Sequence, residues 1–298
     1  MMVKNNRDIV YLYDGMNCNF NGDPDMENKP RMDMDTKTLL VSDVSVKREV
    51  RDFYAAKGYE IFVNMMNEKK VTPEKRFESI IKAAKMDKAS PEEKINLILE
   101  NMADIRMFGS AFAIGKINKA ITGPIQLTWG YSLHPVDLVK SSSIVTIMND
   151  DNSTFGKMYK AAYALVAHSA SVNKYAAVKT GLTEEDVILF EKALIQAKMN
   201  HLTHSKQGQQ PLLLLEVVYA DDFDGYLGDL RRYLQVNLKK SYAIRSLEDV
   251  EVDFGKLSAI IEDYKAKGYI KAVHIWTSPL ADFINMPQAD ELDLLDTL

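Results

Sequence analysis

At 298 residues the chain has room for one large domain or two, and 46% hydrophobic with 27% charged residues fits a globular protein with a sizeable core. The net charge of −5 argues mildly against a nucleic-acid binder without excluding a local basic patch, and a single cysteine, Cys18, rules out an internal disulfide or a cysteine zinc site. The longest apolar stretch, Leu212–Ala220, contains Glu216 and is too short to span a membrane, and the opening MMVKNNRD has no signal-peptide core, so the expected location is cytoplasmic.

In chain order, Arg7–Asp14 reads as a buried strand, Asn17–Lys37 as a long Asn/Asp/Pro/Gly loop, and Val44–Tyr54 as an amphipathic helix capped by Ser42 or Asp43. On that helix Val46, Val50, Phe53 and Tyr54 share an arc that faces a core. Lys47, Arg48 and Arg51 form the adjoining arc, and Glu49 and Asp52 lie further round. A positive stripe beside a helix N-terminus suits phosphate oxygens; the alternative is a solvated face.

Tyr59–Val63 is a candidate short strand. Thr72-Pro73-Glu74 opens a helix with Pro at its first position, and Ser90-Pro91-Glu92-Glu93 opens another with a capping box. Residues 58–120 thus read as a largely helical insertion. Gly123–Val139 resumes strand, and Ser143–Met148 runs into a polar tip, Asn149–Ser153, before the chain returns as Met158–Val172. The expectation is a projecting hairpin over 144–163, with Met148, Phe155 and Met158 flanking the tip and Lys157 and Lys160 beside it.

Thr183 caps a helix that Leu182 and Val187 staple. His201–Gln210 is a polar loop, Pro211–Tyr219 a buried strand, Gly228–Leu238 a helix, Phe254–Lys267 a helix ended by Gly268, and Tyr269–Trp276 a last strand. Residues 286–298 form an acidic tail, expected to be mobile. Mixed strands and helices without βα alternation predict an α+β fold, one domain over 1–298, with a mostly antiparallel sheet.

Several motifs are imitations. Asn17–Gly22 resembles a calcium loop but has Asn28, not Glu, at its twelfth position, so Asx turns account for it better. Arg106–Phe112 (RMFGSAF) partly resembles an RNA-recognition strand, yet its Gly is misplaced, and Phe108 and Phe112 read as core. The five histidines are scattered and are expected at the surface. No metal or other cofactor is expected.

A resemblance covers most of the chain. Asn21-Gly22-Asp23-Pro24-Asp25, Pro30-Arg31-Met32-Asp33, Leu40-Val41-Ser42-Asp43-Val44 and Lys47-Arg48-x-x-Arg51 resemble the N-terminal signature of the CRISPR Cascade backbone subunit, the Cas seven family, in its type I-B branch. Asp104–Gly109, Thr122–Gln126 and Ser132–Pro135 agree in order and spacing. The resemblance implies a modified RNA-recognition-motif (ferredoxin-like) palm with a helical insertion and a β-hairpin thumb. It implies a non-catalytic subunit that polymerises along CRISPR RNA in an antiviral ribonucleoprotein, beside other Cascade subunits and copies of itself, and presents the guide to target DNA. Carried over residue by residue, the RNA contacts are Ser42, Lys47, Arg48 and Arg51, then Lys29 and Arg31, then Thr122, Gly123 and Gln126. The thumb residues are Met148, Phe155, Lys157, Met158 and Lys160. Two alternatives stand beside this: a metal-dependent ribonuclease using Asp23, Asp25, Asp33 and Asp35, and a stand-alone single-stranded RNA-binding protein.

Overall fold

The computed structural model describes every residue except 67, 115–116, 140–142, 145–155, 201–202, 204 and 297–298. The long strands are β1 (Arg7–Cys18), β2 (Thr38–Val41), β3 (Gly109–Ile114), β4 (Ile117–Thr122), β5 (Ile125–Leu127), β6 (Gly130–Ser132), β7 (Lys160–Val172), β8 (Gln209–Tyr219), β9 (Gln235–Leu238), β10 (Val250–Asp253), β11 (Ile270–Thr277) and the two-residue β12 (Asp290–Glu291). The helices are α1 (Asp43–Ala56), α2 (Pro73–Ala83), α3 (Pro91–Asn101), α4 (Ala103–Phe108), α5 (Lys174–Thr180), α6 (Glu184–Asn200) and α7 (Gly255–Ala266).

The main sheet runs β12-β11-β8-β1-β7-β6-β2, with β5 and Leu138–Val139 also on β7. All pairs are antiparallel except β11 with β12. Alternation along β1 sends its side chains to two different cores. Ile9, Tyr11 and Tyr13 pack with Val46, Val50 and Phe53 of α1 and Phe190 and Leu194 of α6. Val10 and Leu12 pack on the opposite face with Leu215 and Val217, beneath Val252, Leu257 and Ile261 of the β10–α7 segment. Both faces of the sheet are therefore covered.

Within 58–120 a third core forms from Phe77, Ile81, Ile95, Ile98, Phe112 and Ile114. Thr72 and Ser90 cap α2 and α3 as their spacing predicts, and Ser90 with Glu93 completes the capping box. The β3–β4 hairpin, which the helical pattern of this segment does not predict, closes this core. Its base needs two glycines. Gly109 has φ +71°, and a Cβ at Gly123 would lie 2.1 Å from the carbonyl carbon of Phe108.

Several expectations are corrected. The first strand continues through Asn17 and Cys18, because β7 offers partners as far as Ala161. Tyr59–Val63 is irregular: the amides of Phe62 and Val63 donate to the Asp104 carboxylate rather than to a strand. Gly123–Val139 breaks into short strands, since Pro124 and Pro135 supply no N–H. Gly228–Leu238 is not a helix. The Arg231 guanidinium reaches the Trp129 and Ala167 carbonyls at 2.8 and 3.1 Å and holds Leu230–Tyr233 to one tight turn before β9. His134 and His168 are buried rather than at the surface; burial pushes the His168 imidazole down to about 3. His201 and His204 lie outside the described residues.

Of the hairpin over 144–163, Ser143–Ile144 pairs with Gly156–Lys157, and Lys160 already belongs to β7. Met148 and Phe155 lie outside the described residues. The acidic tail is pinned as far as Asp296. The Leu292 amide donates to the Ile275 carbonyl at 2.7 Å, Gln196 donates to the Leu294 carbonyl at 2.7 Å, and Lys192 pairs with Asp296. Leu294 is 1% exposed, so Leu294→Ala should cost about 2–4 kcal/mol. A lowered urea midpoint checks this; an unchanged midpoint would mean the tail is not part of the core.

Candidate nucleic-acid interface

Ser42, not Asp43, caps α1: its Oγ accepts from the Ser45 amide at 3.3 Å. The Ser42 amide in turn donates to Asn21 Oδ1 at 2.9 Å, which ties the 21–31 loop to the helix N-terminus. Arg31 N–H donates to the Asn21 carbonyl at 3.0 Å, so Arg31 and Lys29 sit on the same loop edge. Lys29 lies 4.8 Å from the Tyr159 ring centre, and Tyr159 donates to Glu27. The segment just before β7 thus touches this loop.

Further along α1, Lys47 and Arg51 flank the Phe108 ring at 5.6 and 5.1 Å. Phe108 leads into Gly109, which lies against Gly123, and Gln126 donates to the Gly123 carbonyl at 2.7 Å. The fold therefore links most of the expected residues in one arc: Lys29 and Arg31, Ser42, Lys47 and Arg51, then Thr122, Gly123 and Gln126; Arg48 instead donates to the Val63 carbonyl at 3.0 Å. Sequence reasoning missed two connectors, Asn21 and Phe108. Their role depends on contacts that no local pattern marks.

The electrostatics differ from a bare basic stripe. Lys47 pairs with Asp43 at 2.9 Å, Arg48 with Asp52, Arg31 with Asp23 at 3.2 Å, and Lys29 with Glu27 at 3.5 Å. Arg51 is mostly buried and binds Asp104 at 2.9 Å, and Asp104 also accepts from Phe62 and Val63. Arg51 is therefore a structural residue whatever else it touches. Arg48, Lys29 and Arg31 keep about a third of their side chains in solvent. Lys160 has no ion-pair partner among the described residues.

Glu49 is buried beside this surface and receives Lys198 at 2.8 Å and Lys206 at 2.9 Å. Burial alone would raise its pKa, but the two ammonium groups hold it down at about 2. Lys206 also donates to Ser45 Oγ at 3.0 Å, placing its charge at the first turn of α1. Asp33 serves its own turn, accepting from the Asp35 amide at 3.0 Å. Cys18 is buried, and burial pushes its thiol up to about 12.

The arrangement offers cations with partial solvent access next to a capped helix start, which is suited to phosphate oxygens. The family model described as CRISPR-associated protein Cas7 matches residues 5–255. The chain belongs to this family. It is 26% identical over 289 residues to a CRISPR-associated protein Cas7 of Haloferax volcanii, covering 88% of this chain and 84% of that protein. It is similar in fold to a chain of a CRISPR RNA-guided surveillance complex, with TM-score 0.55, 15% identity, and 97% and 94% of the two chains covered. A second such complex, described as pre-nicking, matches with TM-score 0.57, 14% identity, and 97% and 96% coverage. No helix among the described residues of this Cas7 chain is long and apolar enough to cross a membrane.

The ion pairs separate two neighbouring cations of α1. The helical wheel places Lys47 and Arg51 together on a face whose replacement would spare the fold. The burial of Asp104 instead predicts that Arg51→Ala destabilises by about 3 kcal/mol, whereas Lys47→Ala stays within about 1 kcal/mol. Paired urea titrations check this, and equal destabilisation would contradict it. For Glu49, the folded pKa lies below its ordinary value of 4.5, so its stabilisation is present above that value and disappears as pH falls toward about 2. Glu49→Gln should be destabilised at pH 7 and show a flatter decline of stability through that window; a parallel pH profile would refute the assignment.

Proposed function

We propose that this Cas7 chain is a guide-RNA-binding backbone subunit of a type I-B Cascade surveillance complex. Copies polymerise along CRISPR RNA and leave its base edges free to pair with target DNA. The observation that carries the reading is the family match across residues 5–255. The fold supports it. The order β8-β1-β7-β6, with α1 after β1 and α6 after β7 on one face, is compatible with a ferredoxin-like palm. The opposite face, where ordinary RNA-recognition domains stack bases, lies beneath α7 and β9–β10. RNA is therefore assigned to the arc from Lys29 to Gln126, and not to the sheet face.

Within that arc the exposure of Lys29 and Arg31 makes them the principal phosphate ligands, and Arg48, which donates to the Val63 carbonyl, acts from its margin. A phosphate must compete with Glu27, Asp23 and Asp52 for these three. Lys47 and Ser42 contribute from the helix start, and Arg51 acts by holding the helix in place. The hairpin over 144–163 is the thumb, folding over RNA and contacting the neighbouring copy, with Lys160 at its root. The subunit is non-catalytic, and Asp33 is a turn residue.

Lys29→Ala with Arg31→Ala should weaken binding to all RNA sequences alike, with the fold intact. The salt slope should fall by about one unit for each phosphate that is no longer neutralised. Native mass should rise in steps as the RNA is lengthened. One fixed stoichiometry at every length favours the stand-alone RNA-binding reading. Magnesium-dependent cleavage abolished by Asp33→Ala favours the ribonuclease.

A further inference from the structure

Three carboxyl groups converge where α6 crosses the sheet: Glu184 and Glu191 of α6 and Glu216 of β8. Glu191 is 2% exposed and Glu216 1%. In register, Glu216 stands opposite Ile9 of β1 on one side and His274 of β11 on the other, and His274 stands opposite Asp290 of β12.

Donors are scarce there. Arg7 gives one N–H to Glu216 Oε1 at 2.9 Å and another to Glu184, and His274 Nδ1 lies 2.9 Å from Glu216 Oε2. Lys192, next to Glu191 on α6, is paired with Asp296 of the tail. Glu191 Oε1 meets no donor among the described residues, and the Glu191 carboxyl lies within hydrogen-bond reach of Glu216. Two buried carboxyls in contact cannot both ionise. Both Glu216 oxygens already have partners, so Glu216 is the anion and Glu191 keeps the proton.

We propose that Glu191 is a proton-carrying latch. Neutral, it donates to Glu216 and closes α6 on the sheet; ionised, it releases this part of α6 together with the tail that α6 holds. Nothing nearby relieves an ionised Glu191. Arg7 is shared by Glu184 and Glu216, Lys192 is paired, and Asp290, Glu291 and Asp296 of β12 and the tail are themselves acidic. The tail follows because Gln196 and Lys192 of α6 bind the Leu294 carbonyl and Asp296. Burial and the Glu216 carboxylate raise Glu191 well above its ordinary value of 4.5, so the folded chain keeps a proton that the unfolded chain loses above that value. The latch is therefore fully closed in acid, and its stabilisation is lost as pH rises. This direction is opposite to that of Glu49.

The test uses the full chain and Glu191→Gln, whose amide donates to Glu216 with no proton to lose. Infrared spectra at pH 7 should show a protonated-carboxyl band in the parent that the variant lacks. In urea titrations from about pH 5 to about pH 8, the folding constant of the parent should fall more steeply than that of the variant, by about tenfold per pH unit. Asp14, raised to about 6 by burial, contributes equally to both chains and cancels. At the alkaline end, hydrogen exchange over residues 290–296 should be faster in the parent. Glu191→Met, apolar and also without a proton, gives the same readings if the glutamine variant does not fold. A parent spectrum without the extra band, coincident pH slopes, or equal exchange of the tail would overturn the latch.

Discussion

Glu49 buried between two lysines is the constraint on which the start of α1 and the loop tied to it depend. It joins three elements remote in sequence: α1, the C-terminal turn of α6 through Lys198, and the approach to β8 through Lys206. Lys198 is itself buried and lies 3.9 Å from the Tyr13 ring centre, so the network is seated on β1. A buried carboxylate with one lysine removed leaves an uncompensated charge, which makes the geometry costly to distort. The consequence is a fixed position for Ser42 and Ser45, the start of α1.

From that fixed point the charge pattern follows. A chain with net charge −5 has no large surplus of cations to offer phosphate. Its arginines divide the tasks by burial. Arg51, Arg106 and Arg231 hold Asp104, Asp186 and Asp229 inside the fold. Arg31 and Arg48 stay partly in solvent, each beside a carboxylate that a phosphate would displace. Such pairs keep the surface near neutral until a stronger anion arrives.

What the sequence made legible was local. Ser42, Thr72, Ser90 and Thr183 announce their helices because a cap bonds only three residues ahead. The apolar arc of α1 and the run ending at Tyr219 were equally plain, since burial there follows periodicity. The residues proposed for the arc came from the family resemblance and not from any local pattern. What stayed hidden was long-range. Arg51 and Asp104 stand 53 positions apart and Glu49 and Lys206 stand 157 apart, so neither pairing leaves a mark in a helical wheel. The tail looked mobile by its charge, yet Leu294 finds a core that α6 creates. Gly228–Leu238 looked helical, yet Arg231 directs its donors to the distant Trp129 and Ala167 carbonyls.

The central claim is that RNA follows the loop-and-helix arc and leaves the covered sheet face alone. Ultraviolet crosslinking of bound guide RNA, followed by mass spectrometry of the peptides, tests it most directly. The account predicts adducts within residues 21–51, with others near 108–126. Adducts confined to β9, β10 and α7, with none on the 21–51 segment, would contradict it.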